Sequence, residues 1–158
     1  MYDYIFCGTS VPLLYFINNF IKYNKNSNIL LIEKKNKIGG AWCTYEDEYV
    51  RNCDHAIHLI DIGDKNKEKY ILKKLNELDL KCVKMKKENL IINDVKTKNI
   101  LENNAIYCKE GWNYLTNKLF DNIKNKITII NDEINHIIIN KNNAILHCNK
   151  QNLTCKKI

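Results

Sequence analysis

One proline and five glycines among 158 residues leave this chain without a Pro- or Gly-rich linker, and no segment of it repeats. Composition therefore marks no boundary, and the length suits a single domain over 1–158 better than two ordinary ones. No C-x-x-C pair occurs among the seven cysteines, Cys7, Cys43, Cys53, Cys82, Cys108, Cys148 and Cys155, which removes the usual spacing of a zinc site or a redox dithiol. Dispersed thiols in odd number fit a reducing compartment, some buried as small hydrophobes. Tyr2-Asp3-Tyr4 lacks a basic n-region, and the apolar run from Ile5 to Phe20 is broken by Gly8, Ser10 and Pro12. Neither a signal peptide nor a membrane-spanning helix is expected, so the chain is expected to be cytoplasmic with no membrane partner.

What is present is ordinary for a folded protein: 45% hydrophobic and 27% charged residues. The net charge of +7 could signal a polyanion partner. Yet the lysines are scattered, and Asn and Ile are over-used alongside Lys, as an AT-rich coding sequence produces. No basic cluster shares a helix face with aromatics, so no specific nucleic-acid partner is expected. His55, His58, Cys53 and Asp54 are close in sequence but match no common zinc arrangement, and no metal is expected.

Tyr4 to Cys7 reads as a buried strand ending at Gly8. Leu13 to Tyr23 follows with helical apolar spacing, then a polar turn, then a second buried strand, Ile29 to Ile32, closed by Glu33. This is one βαβ unit with a parallel pair. Ile38 to Trp42 reads as a loop, and Tyr45 to Ile60 has no clear period. The spacing predicts amphipathic helices over Lys67–Leu78, with Tyr70, Ile71, Leu75 and Leu78 on one face, and over Trp112–Ile123. Short strands are expected at Val83–Met85, Leu90–Ile92 and Ile127–Ile130. Ile134–Ile139 then turns through four residues rich in Asn into Ala144–Cys148 as a hairpin. The fold class is α/β: a three-layer Rossmann-like parallel sheet with helices and an antiparallel hairpin near the C-terminus.

The dinucleotide fingerprint places G-x-G-x-x-G between strand and helix and an acid at the end of the second strand. Its glycines let backbone approach a pyrophosphate, the helix N-terminus offers N–H groups and a positive dipole end, and the acid accepts from a ribose hydroxyl. Gly8 holds the first position, Ser10 the second and Leu13 the third. Glu33 lies about 20 residues beyond, at the ribose position. Ser10 can itself donate to a phosphate. Leu13 replaces the glycine that allows close helix–strand packing, and Pro12 suits a first helical turn.

Glu33-Lys34, a short spacer, then Ile38-Gly39-Gly40-Ala41-Trp42 resembles the segment behind the ribose acid in flavoproteins of the amine oxidase, phytoene desaturase and UDP-galactopyranose mutase kind. Gly111-Trp112-x-x-Leu115-x-x-x-Leu119, then Ile127 to Ile130, then Ile134 to Ile137, is similar to that group's central segment, where an aliphatic residue meets the adenine of FAD. The resemblance implies an FAD/NAD(P)-binding Rossmann-like domain. It also implies FAD contacts at Gly8, Ser10, Glu33, Lys34, Gly39, Gly40, Trp42 and Ile134. His55-Ala56-Ile57-His58 resembles a His-x-x-His of the mutases, adding His55 and His58 to the expected flavin neighbours. A Gly-Thr after the first strand and a later Gly-Gly-x-Trp also resemble Rab escort and GDP-dissociation-inhibitor proteins. Those retain the fold without catalysis, so a scaffold that has lost FAD is a second reading.

Members of the group are usually longer, with a substrate domain and a late Gly-Asp segment that returns to the flavin, and neither is found in this sequence. The expectation is therefore an incomplete FAD-binding domain of an oxidoreductase, with a small-molecule substrate if it is an enzyme and a second chain as a source of the missing half. Catalysis by this chain alone is not expected, and no catalytic residue is assigned.

Overall fold

The computed structural model describes residues 1–45, 47–49, 53–54, 60–62, 64–85, 89–92, 95–99 and 104–157. They form two compact units, one from Met1–Gly40 with Thr116–Ile158 and the other from Ala41–Leu115.

In the first unit, β1 (Tyr2–Cys7), α1 (Val11–Tyr23) and β2 (Ile29–Glu33) make the expected βαβ unit, with β1 and β2 parallel from Tyr4↔Ile29 to Cys7↔Ile32. Pro12 sits in the first turn of α1, where its missing N–H leaves no helical bond unmade. Leu14 and Ile17 are fully buried, while Leu13 is half-buried. The residue standing in for the third glycine thus lies beside the packed stripe rather than at its centre. Tyr4 and Phe6 meet Phe16 and Phe20 of α1 edge-on, with ring centroids 4.8 to 5.8 Å apart.

The second unit holds the short pair β3 (Thr44–Tyr45) and β4 (Cys53–Asp54), then β5 (Ile60–Ile62), α2 (Lys65–Glu77), β6 (Cys82–Met85), β7 (Asn89–Ile92), β8 (Val95–Asn99) and β9 (Asn104–Cys108). Its strands are all antiparallel, in the orders β5-β9-β6, β3-β4 and β7-β8. Asp64 caps α2 by accepting from the N–H groups of Asn66 and Lys67 at 2.8 and 2.9 Å. Leu75 is buried in α2 as expected, but Tyr70 is 58% exposed. The Lys74 ammonium lies over its ring, 5.8 Å from the centroid.

The chain continues as α3 (Trp112–Asp121), β10 (Thr128–Asn131), β11 (Ile134–Ile139), β12 (Ala144–Cys148) and β13 (Asn152–Lys157). The six-stranded sheet of the first unit runs β10-β2-β1-β13-β12-β11. Its first four strands are parallel to their neighbours, and β13, β12 and β11 are antiparallel in turn. The hairpin is thus tied to the parallel sheet by β13, which pairs parallel with β1 and antiparallel with β12. One face carries Leu30, Ile32, Leu146, Leu153 and Cys155, with Ile5, Ile130 and Ile134 packed against them. On α1, Asn18 Nδ2 donates to Leu119 O of α3 at 2.8 Å, which sets these two helices side by side. Among the described residues no helix is long and apolar enough to cross a membrane.

Candidate functional site

β1, β2 and β10 end together in the first unit, at the carboxyl edge where open α/β sheets bind ligands. Gly8 follows β1 with φ +90°, a conformation glycine adopts without strain, and its N–H donates to Ile32 O at 2.7 Å. A Cβ built on Gly8 meets nothing within 4 Å, so the backbone there is open to an approaching group. Ser10 is the N-cap of α1, but its hydroxyl makes no capping bond, and Leu14 N–H donates to its carbonyl at 2.9 Å.

Thr9, between these two, is 2% exposed and joins the parts of the site. Its Oγ1 donates to Glu33 Oε2 at 2.5 Å and accepts from Gly39 N–H at 3.0 Å. That N–H also reaches Thr9 O at 3.1 Å, and Ser10 and Gly39 form a parallel bridge. Gly39 has φ +104°, and a Cβ there would lie 2.9 Å from Thr116 Cγ2, so only glycine fits between α3 and the Thr9 turn. Gly40 is open by comparison, an added Cβ coming no closer than 4.0 Å to Ser10 Cα.

Glu33 Oε1 accepts from Lys35 N–H at 2.9 Å. With one bond on each oxygen, a carboxylate of about four acceptor positions still has capacity for a ligand hydroxyl. Asn131 Nδ2 donates to the carbonyls of Glu33 and Lys35 at 2.9 and 3.0 Å, which pins the chain after β2 to the end of β10. Glu33 faces a cleft of about 210 Å³ whose wall includes Thr9, Asn36, Ile38, Phe120 and Asn131. Polar Thr9, Glu33, Asn36 and Asn131 share its wall with apolar Ile38 and Phe120.

The sequence-predicted residues Gly8, Ser10, Glu33, Gly39 and Gly40 are therefore brought together in this one unit. Lys34 is turned aside, its ammonium 3.5 Å from Glu133 with both side chains more than half exposed. Ile134 opens β11 and packs into the β-sheet cluster. It lies two residues past Asp132, whose N–H donates to Glu33 O at 3.1 Å. Trp42 lies in the second unit, edge-on to the fully buried Trp112 at 5.2 Å. His55 and His58 lie outside the described residues. Among the described residues no group of three His, Cys, Asp or Glu could hold a metal ion.

Sequence reasoning missed Thr9 and Thr116. Thr9 stands at a variable position of the fingerprint, and no spacing rule tells that its hydroxyl turns inward. The faint signal was a polar residue trapped between a glycine and a helix cap.

No family model and no curated protein matches this sequence. In fold the chain is similar to several solved structures. One is a protein assigned as a protoporphyrinogen oxidase from Exiguobacterium sp. 255-15, with TM-score 0.72 and 8% identity over 97% of this chain and 57% of that one. Another is putrescine oxidase bound to putrescine, with TM-score 0.65 and 8% identity over 98% of this chain and 56% of that one. A third is CtdE in complex with FAD, with TM-score 0.55 and 15% identity over 99% and 37% of the two chains. This chain thus spans little more than half of the first two. At identities this low the likeness establishes the fold alone, a Rossmann-like sheet with an antiparallel hairpin and a second small antiparallel part, shared with these structures.

Proposed function

We propose that this chain is the FAD-binding portion of a flavin-dependent oxidoreductase of the amine-oxidase-like kind. The observation that carries the reading is the buried Thr9 hydroxyl, which joins the acid at the end of β2 to the glycine turn after it. Gly8, Ser10 and the N-terminus of α1 would take the diphosphate, which the open space over Gly8 and Gly40 admits. Glu33 would accept from the adenosine ribose, and the backbone around Ile134 would meet the adenine end. Bound flavin supplies the redox chemistry, and the residues of this chain supply its position. The substrate would be a small molecule, and a second chain would provide the parts of the neighbours' length that this one does not span.

A titration of FAD fluorescence against the purified chain tests the reading. Saturable quenching is expected, and Glu33→Ala should weaken it roughly 10- to 150-fold, the loss of a hydrogen bond to a charged group. Binding that survives Glu33→Ala unchanged contradicts the assignment of Glu33. No binding to the folded chain removes the flavin reading and leaves a scaffold of the same fold.

A further inference from the structure

β6 and β9 bring face to face two cysteines that the sequence keeps far apart. Cys82 and Cys108 are direct partners in that antiparallel ladder. Just outside the pair, Lys109 N–H donates to Lys81 O at 3.1 Å. That bond makes Cys82 and Cys108 a non-hydrogen-bonded pair, the kind whose Cα atoms lie about 4.5 Å apart and whose side chains come closest. A disulfide spans about 4.4–6.8 Å between Cα atoms, so this pair can close one without moving the backbone. The two side chains are within hydrogen-bond reach of each other, and both are free thiols. Among the described residues no other two cysteines stand opposite each other in a ladder. Cys7 faces Ile32, Cys53 faces Tyr45, Cys148 faces Ile134, and Cys155 faces Tyr2 and Ala144. Exposure divides the two partners: Cys82 is half-buried and within reach of a small reagent, whereas Cys108 is fully buried behind it.

We propose that Cys82 and Cys108 are a redox-convertible pair, oxidised to a cross-strand disulfide by a small-molecule disulfide such as that of glutathione. The Cys82 sulfur attacks one sulfur of the oxidant, forming a mixed disulfide and expelling one thiol. The Cys108 sulfur then attacks the Cys82 sulfur and expels the second. The two protein sulfurs are oxidised, the S–S bond of the oxidant is reduced, and the two protein protons end on the departing thiols. Cys108 gives up its proton beside Glu110, whose Oε2 accepts from its Sγ at 3.7 Å. The new bond closes the stretch of chain that carries β7 and β8, which limits the freedom of the unfolded state. Burial, with the Glu110 charge second, holds the Cys82 thiol above its ordinary 9.0. Little thiolate is therefore present near neutrality, and oxidation quickens as pH rises. The inference stands on the second unit alone and is independent of the flavin reading.

The test is incubation of the folded full chain with glutathione disulfide at about pH 8.5, an ordinary thiol pKa. Remaining thiols are then alkylated and the peptides mapped by mass without reductant. A peptide pair joined through Cys82 and Cys108 is expected as the main product, forming about tenfold more slowly one pH unit lower, in step with the thiolate fraction. Cys108→Ser should stop at a glutathione adduct on Cys82. Cys82→Ser, shown folded by circular dichroism, should leave Cys108 unmodified. The oxidised wild type should melt several degrees above the reduced one, a gap that closes in Cys82→Ser. A folded wild type that keeps both thiols, or joins either to a different cysteine, overturns the proposal. So does a Cys82–Cys108 bond that forms only in denaturant.

Discussion

Replacing Thr9 with valine keeps the shape of the side chain and removes one hydroxyl, which in this fold serves Glu33 and Gly39 together. Urea unfolding of Thr9→Val should show a loss of about 1–3 kcal/mol, the range for buried polar partners left unsatisfied. A neutral result would mean that the Thr9 hydroxyl holds nothing. Gly39→Ala faces two obstacles, a positive φ and the Thr116 methyl at 2.9 Å, and should cost about 1–3 kcal/mol. Thr116→Ser removes that methyl, so in the Gly39→Ala background it should return part of the loss while the backbone strain remains. Cys108 gives a test in pH. Burial above all, with the neighbouring Cys82 and Glu110, pushes its thiol up to about 12 from an ordinary 9.0. The unfolded chain releases that proton near pH 9, and the folded chain holds it until about 12. The stability this contributes is therefore complete below pH 9 and lost as pH rises towards 12. The stability difference between the wild type and Cys108→Ala should be level below that window and shrink within it.

Elements were legible where one period dominates. β1, α1 and β2 stand where the apolar spacing puts them, because a parallel strand is a continuous apolar run and a helix on a sheet needs one stripe. Only β2 is buried as expected, β1 being half-buried with Cys7 exposed. β8 and β9 gave no such signal. Val95–Asn99 alternates Lys with Val, Thr and Asn, and the apolar run Ala105–Cys108 is only four residues long. Each becomes a strand through its partner, β7 in one case and β5 and β6 in the other. The cap of α2 belongs to this scale too. Hydrogen bonds from backbone N–H groups, Lys67 first, hold the Asp64 carboxyl below its ordinary value of 3.8. That support is present above the ordinary value and is lost as pH falls through the lowered one. Asp64→Ala should lower the thermal midpoint more near neutral pH than in strong acid, where the neutral carboxyl still caps, and Asp64→Asn should keep that neutral part of the cap. Leu14→Ala, at a fully buried position of α1, should cost about 2–5 kcal/mol in urea unfolding.

At the scale of the whole molecule, the six-stranded sheet draws on both ends of the sequence, and residues 41–115 form a unit between them. No composition shift marks that insertion, since both units use the same Lys-, Asn- and Ile-rich vocabulary. The place of β13 was equally hidden. Its apolar residues are few, yet it lies between β1 and β12 with Leu153 and Cys155 buried. Removing residues 152–158 should therefore unfold the first unit rather than trim it, seen as lost amide dispersion for residues of β1 and β12. Within the candidate site, the glycines and Glu33 stand at the spacing of a known fingerprint, whereas the Thr9 hydroxyl that joins Glu33 to Gly39 depends on side-chain direction.

The central claim is that this fold holds a flavin, and the most direct measurement is an absorbance spectrum of the purified chain before and after incubation with FAD and desalting. Flavin bands that survive desalting in the wild type, and fall away in Glu33→Ala, are the predicted result. A chain shown by circular dichroism to be folded that keeps no flavin would contradict it.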